Sequence, residues 1–529
     1  MVRVLEVVLS VPQPTVCDRA AHGPGGHQRV AEERMARAPG EAVAGLPHVV
    51  PAPRVARQTT TWFDSNGTLA QAGLQVRLNA TADERRIEVW RRTQYSPGVT
   101  LHEMLYEATL EADALVSTSL NGAPDAFKET LSRAGDLLPG VTLSHDRECW
   151  QRVTPEGIAV GITFDRFAIE QEDEVSAHRQ LRLTTPYLED AVSAALAALF
   201  AVANELVAAL AAFPELHGAS DRAREGDAAA EPVPARAAPI DLSGVSTPHG
   251  AFIAICNNLA DHWFGNDAGV RDALSPEFVH QMRVAQRRLK TAMRIFPHWR
   301  DDAWTSRVAP DLKWLGSMLG EARDRDVFVD STLPTLAAAD AQSARWNPTR
   351  EDAHARRLEA RGRAQVALGS ARYAHLALAW LEWLSALPCR EPPAKAADTS
   401  LRRYANKHIR KYYERLVSAP KLTTLDDHAR HEERIQAKYL RYALEFFDSI
   451  VSPKTRNESA KTVSRMQSVL GDGNDAAVAL RELEQMDVEP YQLGFARGWC
   501  EASKRYTAQE GERLLRTLRA PKITGGDAD

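Results

Sequence analysis

His280-Gln281-Met282-Arg283-Val284-Ala285-Gln286-Arg287-Arg288-Leu289-Lys290 is a basic helical stripe, and the chain carries it twice. The second copy is His431-Glu432-Glu433-Arg434-Ile435-Gln436-Ala437-Lys438-Tyr439-Leu440-Arg441. The separation is constant: 431 − 280 = 151, 434 − 283 = 151 and 441 − 290 = 151. Further along, Leu319-Gly320 meets Leu470-Gly471 and Asp324 meets Asp475 at the same offset. A register kept without insertion over that distance indicates a duplicated structural unit.

At about 100° per residue, His280, Arg283, Arg287 and Lys290 share one narrow helix face. Met282, Leu289, Met293 and Phe296 lie opposite. The second copy divides in the same way, with His431, Arg434, Lys438 and Arg441 against Leu440, Leu444 and Phe447; Glu433 interrupts the apolar set where Met282 stood. Each helix is therefore anchored by one face and presents three cations and a histidine on the other. Like charges so close repel, and a polyanion would neutralise them. Arginine suits phosphate because its planar fork donates two parallel hydrogen bonds, while lysine adds a mobile point charge. Histidine can donate to phosphate as well. One such stripe is an ordinary solvated helix face; its duplication turns the reading toward a shared ligand. The histidines can equally serve packing or orientation, and their cationic neighbours disfavour a metal.

The remaining composition bounds the answer. A chain of 529 residues suits two or three domains. Its 70 acidic residues outnumber 65 basic ones, so an anion site must be a local patch. Five scattered cysteines without a CxxC pair argue against a zinc ribbon or a disulfide scaffold and suit a reducing, cytoplasmic setting. The apolar N-terminus contains Glu6 and stops at Pro12, which makes a poor signal peptide. The Ala/Leu-rich stretch from Ala191 to Phe213 is broken by Asn204 and Glu205, so a buried helix is expected there and no membrane partner.

Two regimes follow one another. Up to about Thr185, short Val/Thr/Ile/Trp-rich segments alternate with turn residues: Val2–Val11, Gln58–Asp64, Leu74–Asn79, Arg86–Arg92, Leu105–Leu110, Glu148–Val153, Ile158–Phe164 and His178–Thr184. They predict an antiparallel sheet or barrel with a helix near Val30–Ala44 and a long closing helix near Leu188–Phe213. Residues 216–247 have linker composition. From Pro248 helical patterns take over, at 249–264, 276–297, 303–320, 350–387, 399–418, 426–451, 455–471 and 488–519, punctuated by Pro297, Pro388, Pro420 and Pro453. The expected class is α+β: an N-terminal antiparallel β tunnel or barrel-like domain with helices, then an all-α domain of two duplicated helical bundles related by a pseudo-two-fold axis.

Other cations extend the candidate surface. Lys407, Arg410 and Lys411 stand together at i, i+3, i+4 within the Arg402–Arg415 run. Arg356, Arg357, Arg361, Arg363 and Arg372 read as exposed helix charges. In the Leu319-Gly320…Arg323-Asp324-Arg325-Asp326-Val327 segment the glycine suggests a tight turn, and Asp324 a helix cap or an anchor for a cation.

These residues resemble the CHAD family, the conserved-histidine α-helical domain. The matching pieces are His280-x-x-Arg283-Val284, Arg287-Arg288-Leu289-Lys290, Leu319-Gly320 with Arg323-Asp324-x-Asp326-Val327, and His431-x-x-Arg434-Ile435 with Lys438-x-Leu440-Arg441-Tyr442. The resemblance spans 248–518, with internal repeats of about 248–398 and 399–518 and a tail at 519–529. It implies two helical bundles, a basic central surface and inorganic polyphosphate as ligand, held without a cofactor. His280, Arg283, Arg287, Arg288, Lys290, Lys407, Arg410, Lys411, His431, Arg434, Lys438 and Arg441 are the residues assigned to it.

Residues 1–215 resemble a degenerate CYTH domain, the triphosphate-tunnel fold. Trp62-Phe63-Asp64-Ser65 and Leu69–Leu78 carry the likeness, with Arg91, the Arg147–Trp150 segment and Asp165 as further matches. The family's Glu-x-Glu-x-Lys strand is here Glu6-Val7-Val8-Leu9-Ser10, and its late acidic strand is His178-Arg179-Gln180-Leu181-Arg182. Tunnel triphosphatases need clustered carboxylates to hold divalent metal. Loss of those acids implies an inactive relic with Glu6, Arg77, Arg91 and Asp165 as residual tunnel positions, and magnesium or manganese is implied only for an active domain. Three functions thus compete: polyphosphate binding in the cytoplasm or on polyphosphate granules, metal-dependent triphosphate hydrolysis, and nucleic-acid binding. The last is disfavoured because the stripe offers few aromatics, Tyr439 and Tyr442, for base stacking.

Overall fold

Alternating strands dictate the first architecture. In β1 (Arg3–Ser10), Leu5, Val7 and Leu9 are fully buried while Glu6 and Val8 point the other way. The structure is a computed structural model that describes residues 2–12, 38–52, 55–111, 120–171, 174–216, 218, 232–272, 274–397 and 399–524. The chain divides into two units, residues 1–233 with 369–390, and 234–368 with 391–529.

The first unit is an antiparallel barrel. Its strands are β1, β2 (Val49–Pro51), β3 (Val55–Asp64), β4 (Leu74–Ala80), β5 (Arg85–Ser96), β6 (Val99–Leu110), β7 (Leu138–Val153), β8 (Ala159–Gln171), β9 (Glu174–Pro186) and β10 (Phe213–Glu215). Pairing runs β1-β6-β5-β4-β3-β7-β8-β9, and β9 returns to β1, from Val4 opposite Pro186 to Ser10 opposite Gln180. A closed eight-strand barrel has an interior just wide enough for side chains or one small ligand. Here the interior takes the polar residues, and the outward apolar rows are roofed by helices.

The small helices α1 (Pro39–Ala44), α2 (Thr68–Gln71) and α3 (Asp125–Ala134) belong to this unit. Phe127 of α3 and Leu69 of α2 cover Leu74, Val76, Ile87 and Val89. The long helix α4 (Val192–Ala209) is hydrophobic around most of its girth and packs on β1 and β9. Extended to Glu189, it is the one described helix long and apolar enough to cross a membrane, yet more than half of that window is buried. Of the expected Val30–Ala44 helix, residues 30–37 lie outside the described residues and Pro39–Ala44 is helical. Residues 217 and 219–231 of the expected linker, and 525–529 of the tail, also lie outside them.

The second unit contains α5 (Pro248–Arg271), α6 (Pro276–Ile295), α7 (Ala309–Val327), α8 (Leu333–Ala339), α9 (Asn347–Leu368), α11 (Ala394–Ala397), α12 (Leu401–Val417), α13 (Asp427–Phe446), α14 (Ala460–Glu484) and α15 (Pro490–Thr517). The stretch 350–387, read as one helix, is two. Ser370 caps a separate α10 (Ala371–Ala386) by accepting from the Tyr373 amide, and α10 packs on α4 in the first unit.

Duplication is visible in the boundaries themselves. Helices α6 and α13 begin at 276 and 427 and end at 295 and 446, an offset of 151 at both ends. A π-helical turn at Trp304–Val308 recurs at Thr455–Ser459, again 151 residues on. Like helices meet: α6 packs on α13 and α7 on α14. Two apolar clusters tie the halves together. One joins Phe328, Leu336 and Trp346 to Leu483 and Ala496; the other sets Phe296 against Tyr404, with centroids 5.2 Å apart, and against Phe447 at 6.3 Å.

Candidate functional site

The two stripes face one another across the second unit. Arg283, Arg287, Arg434 and Lys438 lie within electrostatic reach of each other. Their apolar faces explain why: Met282, Leu289, Leu440 and Leu444 are buried, and these anchors turn the cations toward the seam. Most arginines of this unit are paired, but Arg287, Arg434 and Lys438 form no ion pair among the described residues. The buried Nε atoms of Arg287 and Arg434 lack any hydrogen-bond partner, as does Nδ1 of His280.

Acids are present but subordinate. Asp324 takes one hydrogen bond from Arg283 at 3.3 Å, so of its two expected roles it holds a cation. Asp475 lies opposite, near enough to act on Arg283, Arg434 and Lys438 without an ion pair. Gly320 does not make a tight turn; it sits inside α7. A methyl group there would lie 2.3 Å from Nη1 of Arg283, so the glycine makes room for the guanidinium.

Crowding depresses basicity. Burial, reinforced by Arg434, Arg287 and Arg283, pushes Lys438 down to about 6, with Asp475 opposing. Burial and then Arg323 push His280 down to about 4. Burial with Arg283 and Lys313 lowers Lys290. A bound anion would reverse each of these shifts.

The other assigned residues separate. His431 shares a 2.8 Å hydrogen bond with Asn474. Arg441 lies 3.5 Å from Glu445 and 4.2 Å over the Tyr442 ring. Arg288 does not belong to the surface. It is fully buried, donates to Glu445 at 2.6 Å and Asn258 at 2.9 Å, and meets Nδ1 of His262 at 3.2 Å. Its position next to Arg287 turns it about 100° away from the stripe. Lys407, Arg410 and Lys411 are exposed on α12, with Arg410 held by Glu414, and none of them is among the main influences on the seam cations. Arg357, Arg361 and Arg363 pair with Asp330, Asp326 and Glu321. Tyr442 is buried and Tyr439 packs against Tyr412 and Arg294, so neither is a free stacking platform.

Sequence reading missed part of the surface. A cavity of about 490 Å³ adjoins the second stripe and is lined by Arg430, His431, Arg434, Arg481 and Lys504 among others. Arg430 and Arg481 fall outside the repeated motif, which hid them.

The barrel encloses a second cavity of about 260 Å³. Glu6, Arg77 and Asp165 line it as expected, joined by Glu88, His145, Arg147 and Arg182. Arg91 does not. It shares the outer face with Val89 and pairs with Glu103 at 2.9 Å, because strand neighbours alternate and Trp90 takes the interior. Arg182 is legible as an inward position two residues after Gln180, because strand side chains alternate.

Among the described residues, every carboxylate lining this cavity is claimed by a cation. Asp165 accepts from Arg147 at 2.6 Å and Arg182 at 2.8 Å, Glu88 accepts from Arg77 at 2.6 Å, and Glu6 lies 3.2 Å from His102 and 3.5 Å from Arg182. Although burial opposes ionisation, His102 and Arg182 hold Glu6 down to about 2, and Arg182 and Arg147 hold Asp165 below the usual range. No group of three His, Cys, Asp or Glu side chains suited to a metal occurs among the described residues. This donor set does not suit a divalent cation.

A duplicated helical unit with a cationic seam between its halves defines the class. The chain is a CHAD-domain protein: residues 254–484 match the family model of the CHAD domain. The CHAD domain from the plant Ricinus communis is similar at 30% identity, over 55% of this chain and 99% of that one, with a TM-score of 0.47. PptA from Streptomyces chartreusis is similar at 18% identity, over 52% and 99%, with a TM-score of 0.40. A putative adenylyl cyclase, HpAC1 from Hippeastrum, described as having a dominant triphosphatase activity, is similar at 15% identity, over 42% and 96%, with a TM-score of 0.26. No curated protein matches the chain by sequence.

Proposed function

We propose that this protein binds inorganic polyphosphate along the seam between α6 and α13, and that its barrel is a CYTH-like domain without turnover. The observation that carries the reading is the set Arg287, Arg434 and Lys438, gathered at a half-buried seam without an ion-paired carboxylate among the described residues. Buried charge is costly unless paired, and a running chain of phosphates would supply the missing partners. Arginine forks and a lysine suit such a ligand, and no metal or cofactor is needed to hold it. Cytoplasmic residence, or association with polyphosphate granules, would follow from that ligand.

The test is binding of long-chain polyphosphate by the whole chain, since residues 369–390 group with the first unit. Affinity should fall steeply with salt, as counterion release requires. Arg283→Glu combined with Arg434→Glu should weaken binding at least about a hundredfold, roughly tenfold per lost charge-assisted contact. Arg519→Glu, at an exposed partner of Glu458, should leave it unchanged. Equal effects from both would refute the site.

The alternative is hydrolysis of triphosphate in the barrel. Guanidinium groups occupy the carboxylates that a metal would need, which favours the inactive reading. Phosphate release from tripolyphosphate with magnesium or manganese, abolished by Glu6→Gln, would overturn it. Competition between polyphosphate and single-stranded RNA tests the nucleic-acid reading.

A further inference from the structure

The two halves of the helical unit are alike in backbone but differ in charge beside the stripe. Resting on the polyphosphate reading above, we infer that the second half holds, beside its stripe, a pocket for a terminal phosphoryl group. The 490 Å³ cavity between α13, α14 and α15 falls in the range of small-ligand sites, roughly 300–1,000 Å³. Arg430, Arg434, Arg481 and Lys504 line it, together with His431 and Asn474.

Its charges are only partly balanced. Asp427 in the wall takes Arg430 at 2.9 Å and Lys504 at 2.8 Å, and Glu501 also reaches Lys504. Arg430 donates to the Lys504 carbonyl oxygen at 3.1 Å, which fixes both cations at the rim of α15. Arg481 and Arg434 form no ion pair among the described residues. Two guanidinium groups are therefore left for a ligand, beside two cations already positioned.

The repeat shows that this charge is specific to one half. At the offset of 151, His428 replaces Glu277, Ala477 replaces Asp326 and Arg481 replaces Asp330. In the first half Asp326 takes Arg361 and Asp330 takes Arg357, each at 2.6 Å. Asp326 and Asp330 are spent on internal ion pairs there; in the second half the three places hold His428, Ala477 and Arg481, none of them acidic.

Arg434 and His431 belong to both the stripe and the cavity, so the pocket continues the seam. An interior phosphoryl group of a chain carries one charge and two free oxygens. A terminal one carries three free oxygens and, with a second pKa of about 6, close to two charges at neutral pH. A pocket with several convergent donors matches the terminal group, whereas the open seam matches the running chain. The terminal group can belong to a polymer end or to a free short phosphate. Seating an end on one side only would give a pseudo-symmetric protein a directional grip on its ligand.

The experiment measures binding to the whole chain of three probes: tripolyphosphate, long-chain polyphosphate, and long-chain polyphosphate with both terminal phosphoryl groups blocked as amidates. Arg481→Asp restores the charge of the first half at an exposed position and leaves the core intact. Its affinity for tripolyphosphate should fall about tenfold, the loss of one charge-assisted contact. A wild-type preference for unblocked over blocked chains, lost in Arg481→Asp, assigns the pocket to polymer ends. Tripolyphosphate loss without that preference assigns it to free short phosphates. Wild-type affinity of Arg481→Asp for both tripolyphosphate and unblocked chains would overturn the pocket. Arg283→Glu with Arg287→Glu separates the two readings: it spares the pocket, so undiminished long-chain binding by that variant refutes the seam instead.

Discussion

The guanidinium of Arg283 rests against Gly320 of the facing helix, where a methyl group would stand 2.3 Å from Nη1. The repeat provides an internal control, because a methyl group at Gly471 would lie 4.0 Å from Nη2 of Arg434, an ordinary contact. Gly320→Ala should therefore displace Arg283 and loosen its bond to Asp324. Polyphosphate affinity should fall about tenfold, the size of one lost charge-assisted contact. Stability should hold or rise, since alanine favours a helix interior by about 1 kcal/mol over glycine and the clashing atom is a mobile side-chain end. Gly471→Ala should gain the same propensity without losing affinity. Calorimetric binding and thermal melting of the two variants check the contrast.

Lys438 makes binding sensitive to pH. With the ammonium pushed down to about 6, the free protein carries this side chain largely neutral at pH 8. Phosphate beside it favours the charged form, so binding should take up protons at pH 8, and affinity should weaken as pH rises above 6. Titration at pH 8 in buffers of different ionisation enthalpy measures the uptake, and Lys438→Met should remove most of it. Folding shows the same linkage. Between about pH 6 and the ordinary 10.5 the unfolded chain holds a proton that the folded one does not, so the contribution of this group to stability rises with pH. At pH 7 Lys438→Met should accordingly melt higher than the parent, and a lower melting temperature would contradict the depressed basicity.

Arg288 separates folding from binding. It joins Glu445 on α13 to His262 and Asn258 on α5. Arg288→Met should cost about 3 kcal/mol, the usual loss on breaking a buried pair, and chemical denaturation measures it. Polyphosphate affinity of the folded fraction should stay within about twofold of the parent, well under the tenfold step of one lost contact. A tenfold loss would return Arg288 to the binding surface.

Much of this was legible from periodicity. Six of the eight strand segments named from alternation lie within observed strands, while Val2–Val11 overruns β1 at both ends and Ile158–Phe164 starts one residue before β8; the constant offset of 151 anticipated matching ends for α6 and α13. The resemblance to the triphosphate-tunnel fold also placed Glu6, Arg77 and Asp165 inside the barrel. What local pattern could not supply was the partner of each charge. Arg287 and Arg288 are adjacent and chemically alike, and only the facing helices decide that one is unpaired and the other is held by Glu445. The break at Gly369-Ser370 was equally hidden, because α9 and α10 share helical periodicity but belong to different units. Arg481 is hidden because it marks a difference between the repeats, whereas the motif consists of what they share.

Asp165 should govern the acid response of the barrel. Only 1% exposed, it is flanked by Arg147 and Arg182, which hold its carboxyl below the usual range. The unfolded chain regains a proton near the ordinary value of about 4, whereas the folded barrel resists protonation to lower pH. The stability from this pair is therefore complete above about pH 5 and lost as pH falls through 4 toward the folded value. Histidines act in a different window. His145, His262, His280 and His408 are pushed down to about 4 chiefly by burial, so their stability is lost between pH 6.5 and 4. Asp165→Asn should cost about 3 kcal/mol at pH 7 by leaving Arg147 without its carboxylate and Arg182 with Glu6 alone. The difference between variant and parent should then shrink below pH 4, while the histidine-driven loss above it is common to both. Amide exchange of β1, β8 and β9 measured from pH 7 to 3 reports on the barrel alone. A difference that stayed constant across that range would mean that the ion pairs around Asp165 do not stabilise it.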